Sequence, residues 1–357
     1  MNNQLKISAM EFNSIVPVDD LCMAIGLVCS SQRRVLRHYV LPDGRELTVN
    51  SARNEWAMKN PDCYGNASQL AQKLGLTTLT EGDNFGKAFS LVEKLYAYRE
   101  KIPATFSYSP VSRPIWDFTE TCHPKDIELG KRMTRFGLSM DIVGLYTLEG
   151  SMPQVKGGKS ERVLAMSVGE DKESFIAFNG QVFRQIGEPG MTTFGSRRKD
   201  QICMVYENPL DFLALMEQVE RNGVHAVMSR RYRIILNGKR GLREACDYLK
   251  ANPDFMEVRT FMPRTESGDK CFSAINDAVK GTAIDRSNLF QGHLSLFDKY
   301  RPKVPESYRK WKAAQEMNAV VSETKSVRQK VEKPKPAIKP SLGGEKSAVI
   351  DRKEGAD

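Results

Sequence analysis

Between residues 201 and 292 the apolar positions switch repeatedly between two periods. Residues 202–206 (Ile-Cys-Met-Val-Tyr) form a short continuous apolar run that Glu207, Asn208 and Pro209 interrupt. Leu210, Leu213, Ala214 and Met216 follow at helical spacing, up to a stop at Asn222 and Gly223. A second run, 232–236, closes at Asn237 and Gly238, and Leu242, Ala245, Cys246 and Leu249 resume the helical period. A third run spans 258–262, with Phe272, Ile275 and Val279 behind it, and a weaker fourth spans 282–284. Short buried strands alternating with helices of ten or more residues predict a parallel sheet covered by helices on both faces, an α/β fold. In such sheets the loops past the carboxyl ends of the strands converge on the functional crevice. Glu207 stands at the first of those ends.

The flanking regions carry weaker patterns. Residues 1–80 predict a smaller α+β domain. It has a helix through Leu21 to Leu27, a hairpin of 34–41 and 46–50 about the Pro42–Gly44 turn, and a helix capped by Asn66. Residues 81–120 predict a helix over 85–99 and a linker marked by Pro103, Pro110 and Pro114. Residues 121–196 predict a basic helix at 127–137 and strands at 141–147, 162–168 and 174–178. The α/β region is assigned to 197–300. Residues 301–357 form a lysine- and proline-rich tail, expected to be disordered from about Val321 because little apolar surface offsets chain entropy.

Charge changes the picture locally. The net charge of +9 comes from 53 basic and 44 acidic residues. The tail alone carries 14 of the basic and 8 of the acidic ones, so the remainder is nearly balanced. Basic clusters within it, Arg197-Arg198-Lys199, Arg230-Arg231 and Lys239-Arg240, are candidate contacts to a nucleic-acid backbone, with solvated faces as the ordinary alternative. Seven cysteines without paired spacing, no apolar run of about 20 residues and no secretory layout at the amino terminus predict a cytoplasmic protein with no membrane segment.

The chain resembles the primase-type proteins of bacterial mobile elements, which join a primase zinc-ribbon to a Toprim domain, the metal-dependent fold shared by primases and topoisomerases. Residues 205–215 (Val-Tyr-Glu-Asn-Pro-Leu-Asp-Phe-Leu-Ala-Leu) are similar to the family's strand-Glu-loop-Asp-helix element. Residues 234–237, 284–287 and 292–300 resemble its later segments, and 174–194 the sheet that precedes Toprim. The resemblance implies a Toprim-like sheet behind a degenerate zinc-ribbon-like domain, with Glu207 and Asp211 in the catalytic positions. It also implies departures: Pro263 and Thr265 stand where the family has its metal-holding Asp-x-Asp pair. Of the zinc ligands only Cys63 is near a matching position, so no zinc is expected.

Three functions follow for testing. The first is a catalytically degenerate, primase-related protein that binds single-stranded or primed DNA, with other mobile-element replication or transfer proteins as partners. The second is an active Mg2+-dependent primase or nucleotidyltransferase, in which Glu207, Glu266 and Asp269 hold the metal in place of the missing pair. The third is a protein-interaction module on a retained Toprim scaffold.

Overall fold

The computed structural model describes residues 6–59, 63–77, 84–110, 126–152, 161–169, 173–178, 180–198, 201–228 and 230–331. The chain divides into two compact units, Met1–Tyr308 and Arg309–Asp357.

The first sheet is an antiparallel meander in sequence order: β1 (Val28–Arg33), β2 (Leu36–Val40), β3 (Glu46–Asn50), β4 (Glu55–Met58) and β5 (Cys63–Gly65). Helices α1 (Ala9–Ile15), α2 (Val18–Ala24), α3 (Ala67–Lys73) and α4 (Gly86–Lys101) belong to the same region. Asn66 starts α3 through a capping box with Gln69, the arrangement its side chain favours at a helix entry. Asp20 of α2 and Arg99 of α4 form a buried ion pair at 2.6 Å. Cys63, at the start of β5, is a free, half-buried cysteine.

Helices α5 (Ile127–Arg135) and α6 (Met140–Tyr146) lead into the second sheet. Its order is β6 (Tyr108–Pro110), β10 (Phe183–Ile186), β9 (Ser174–Phe178), β8 (Glu161–Val168) and β7 (Leu148–Met152). Two expectations change here. The expected strand at 141–147 is instead helix α6 with Thr147 as its extended cap: the carboxylate of Glu217 takes both the N–H and the hydroxyl of Ser139, which fixes the helix start, and Asp141 occupies the first turn. The proline-marked linker contributes β6, a parallel edge strand beside β10, a place that tolerates Pro110.

The third sheet has the order β11 (Thr192–Phe194), β13 (Tyr232–Ile235), β12 (Ile202–Tyr206), β14 (Glu257–Phe261) and β15 (Ile284–Asp285). Strands β13, β12, β14 and β15 pair in parallel, and β11 adds an antiparallel edge. Along β12 the side chains alternate between two cores. Ile202, Met204 and Tyr206 join the larger one with α7 (Pro209–Arg221) and much of the second sheet. Cys203 and Val205 join the other, with α9 (Leu242–Ala251) and α10 (Glu266–Ala278). A strand buried on both faces needs the unbroken apolar run seen at 202–206. Helices α8 (His225–Met228) and α11 (Leu296–Tyr300) are short, and α12 (Glu306–Val331) runs on past Val321. Residues 306–331 contain no glycine or proline, the residues that most disfavour a helix interior. Residues 332–357 lie outside the described residues.

Candidate functional site

The peptide from Glu207 to Asp211 is built as a strand end followed at once by a helix start. Asn208 caps α7 by accepting the Asp211 N–H at 3.0 Å, and Pro209 takes the first helical position, where a missing N–H costs nothing. Glu207 is thereby held at the carboxyl end of the central strand. The next strand over is tied to it: Leu236 N–H donates to the Tyr206 carbonyl at 2.8 Å, and Gly238 N–H to the Glu207 carbonyl at 2.9 Å. Asn237 and Gly238 both adopt left-handed backbone (φ 52 and 76), so the chain turns sharply and delivers Lys239 and Arg240 to the same edge. The buried Asn237 amide fixes this turn by donating to the Gly190 carbonyl and the Thr192 hydroxyl, each at 3.0 Å.

Topology marks the same place. Strand β12 leads to a helix on one face of the sheet and its neighbour β14 to a helix on the other, the topological switch beside which open α/β sheets place their ligand sites. Burial raises the pKa of Glu207, while a hydrogen bond from Asn208 and the charge of Lys239 pull it back. Positive charge beside a strand-end carboxylate suits a nucleic-acid backbone.

Asp211 is occupied otherwise. Its side chain is 1% exposed and accepts the Asn208 amide at 2.6 Å and the Phe297 N–H at 2.8 Å, with the Ser295 hydroxyl also bonded to it. Burial pushes its pKa up to about 7 in spite of those donors. The positions where the resemblance expects aspartates also serve the fold. Thr265 caps α10 by accepting the Gly268 N–H at 3.1 Å, and a Cβ on Gly268 would lie 1.9 Å from the Pro263 carbonyl oxygen. Leu294 closes over this stretch, accepting the Arg264 N–H at 2.8 Å.

Glu266 and Asp269 are exposed in the first turn of α10, where Glu266 pairs with Lys270. Among the described residues no group of three histidine, cysteine or acidic side chains is placed to hold a metal. Mg2+ takes one or two carboxylates together with phosphate and water, and at this edge Asp211 is already committed to N–H and hydroxyl donors.

The basic residues divide between two edges. Lys239 and Arg240 lie exposed at the carboxyl edge. Arg197, Arg198, Arg230 and Arg231 precede β12 and β13, and so lie at the amino edge, about 16 Å away along a five-residue strand. The Gln201 side chain joins that group, donating to the Arg230 carbonyl at 2.6 Å and accepting the Arg198 N–H at 3.1 Å. Arg197 pairs with Asp254 and lies 4.2 Å above the Phe255 ring. Lys199 lies outside the described residues. A signal for the split was present in the sequence: in a parallel sheet, residues just before strands and residues just after them occupy opposite edges.

Tyr108 belongs to the site and carries no motif that announces it. Its ring stacks on Phe183 at 5.1 Å and fills the space beside Gly238, where a Cβ would come within 3.0 Å of it. Its phenol group lies in the field of Glu207 and Asp211.

No family model matches the chain, and no curated protein matches it. Among solved structures, the chain is similar to the primase fragment of the bacteriophage T7 primase-helicase protein, at 13% identity and a TM-score of 0.30, over 70% of this chain and 83% of that one. A second similarity is to a chain in the structure of the bacteriophage T7 lagging-strand DNA polymerase interacting with primase domains bound to an RNA/DNA hybrid and dTTP. It has 14% identity and a TM-score of 0.27, over 47% of this chain and 88% of that one.

Proposed function

We propose that this chain is a primase-related, Toprim-like protein that binds single-stranded or primed DNA at the carboxyl edge of its parallel sheet, in the replication or transfer of a mobile genetic element. One observation carries the reading: the Gly238–Glu207 hydrogen bond sets the cationic Lys239-Arg240 turn beside a strand-end carboxylate at the carboxyl edge of the sheet. The likeness of residues 205–215 to the strand-Glu-loop-Asp-helix element supports the same assignment. The role is binding rather than nucleotidyl transfer, because Pro263 and Thr265 serve the start of α10 and Glu266 faces solvent.

The test is anisotropy of labelled single-stranded and primer–template DNA across a salt series. Affinity falls with salt, and Lys239→Glu with Arg240→Glu flattens the log–log slope by roughly 0.7 per lost phosphate contact. Arg198→Glu with Arg230→Glu, at the opposite edge, has the smaller effect. Equal effects from both pairs overturn the placement, and no salt-dependent binding overturns the DNA role.

A further inference from the structure

The amino edge of the parallel sheet, away from Glu207, holds a cavity of about 610 Å3. It opens where the carboxyl ends of α9 and α10 meet the first residues of β14 and β15. Its volume lies in the range that takes a small organic ligand. Leu249, Val258 and Ala278, all buried, form apolar wall together with Ile284 at the start of β15. Met256 lines it as well and stands 58% exposed, an apolar side chain left in water beside an apolar hollow. The helix ends around it bond within themselves. The Asn252 amide donates to the Tyr248 carbonyl at 2.8 Å, Gly281 N–H to the Asn276 carbonyl at 2.8 Å, and the Thr282 hydroxyl to the Val279 carbonyl at 2.7 Å. Recognition at this place therefore falls to side chains.

The charges in the lining are unequal. Lys250 and Lys280 are exposed there, against one acid, Glu257. The Glu257 carboxylate is taken by Arg259 at 2.6 Å, and that bond, with the charges of Arg259, Arg286 and Arg231, holds its pKa below the ordinary carboxylate range. Asp247 approaches Lys250 only at 4.0 Å and on open surface, where such a pair holds little. Positive charge thus stands over an apolar interior. A bare phosphate would leave the walls wet, and a hydrocarbon would leave the lysines unanswered. Phe255 and Met256 in the wall favour a ring, through aromatic packing and the contact of a thioether with a ring edge.

We propose that this cavity binds an aromatic anion, its ring between the apolar walls and its acidic group toward Lys250 and Lys280. The site lies at the opposite end of the strands from Lys239 and Arg240, and it does not depend on the DNA-binding reading. A nucleobase carrying a phosphate and an aromatic carboxylic acid share the required chemistry.

The experiment titrates the full chain with anilinonaphthalene sulfonate, an aromatic anion whose fluorescence rises in a dry apolar site. Two variants are compared with wild type, each checked by melting temperature. The first is Lys250→Gln with Lys280→Asn; asparagine accepts the left-handed backbone at position 280 (φ 57). The second, Met256→Glu, sets a like charge at the cavity wall from an exposed position. The expected result is one probe per chain, bound roughly tenfold more weakly by each variant at unchanged melting temperature. Displacement by adenosine monophosphate identifies the nucleotide, and displacement by indole acetate alone the carboxylic acid. Displacement by neutral indole as readily as by indole acetate overturns the anionic half of the proposal. No fluorescence rise, equal affinity in all three proteins, or failure of both competitors overturns the site itself, whatever the outcome of the DNA measurements.

Discussion

The carboxylate of Asp211 accepts the backbone N–H of Phe297 at 2.8 Å, across 86 residues of chain. Phe297 is itself fully buried, its ring edge-on to Phe106 at 5.5 Å and to Phe136 at 5.7 Å. The acid that sequence resemblance places in a catalytic position therefore fastens α11 to α7.

That role has a pH signature. Asp211 has a folded pKa of about 7, above the ordinary carboxylate value because burial disfavours its charge. The folded state thus holds a proton that the unfolded chain releases near pH 4. Its stabilising contribution is fully present below about pH 4 and is lost as pH rises through about 7, by an amount on the order of a few kcal/mol. Denaturant unfolding of wild type and Asp211→Asn between pH 4 and 8 checks this: the difference between the two curves changes steadily across the window and levels off above it. A constant difference removes Asp211 from the pH dependence.

Gly268 to alanine tests the packing under Pro263. In an ordinary helix interior this change stabilises by about 1 kcal/mol. Here the new methyl would lie 1.9 Å from a backbone oxygen, which has no flexible end to swing away. The clash wins, and the expected outcome is a loss of about 3 kcal/mol, read as a lower melting temperature and an earlier denaturant midpoint.

The Asp20–Arg99 pair tests the region of the first sheet. Its side chains are 8% and 2% exposed, and Tyr96 donates a further hydrogen bond to Asp20 at 2.9 Å. Removing one partner strands the other charge in the interior. Arg99→Met alone is expected to cost roughly 3–5 kcal/mol, and Asp20→Asn combined with Arg99→Met less than the sum of the two single changes. A double-mutant cycle of unfolding free energies measures the coupling.

The parallel strands were legible because each is a short apolar run bounded by breakers, and burial on both faces leaves no other use for such a run. Glu207 was legible as the residue after the first of them. The function of Asp211 was not, since besides the nearby Asn208 its donors come from Ser295 and Phe297, and nothing local pairs those positions with it. Glu266 looked like a replacement ligand by proximity to the third strand, yet the first turn of α10 directs it to Lys270. Tyr108 was hidden for a third reason: its setting depends on a left-handed turn 130 residues away, and proline content made its own segment resemble a linker.

Arg99 also donates to the carbonyl of Lys303, at 3.0 Å, while Tyr308 donates to Glu93 at 3.4 Å. During synthesis, then, the guanidinium that neutralises Asp20 lacks one of its acceptors until the ribosome has passed residue 303 and released that length of chain from its tunnel. Helices α2 and α4 must therefore wait for a segment 204 residues further along the chain before their charged centre is complete, so this unit consolidates only after that segment has been made.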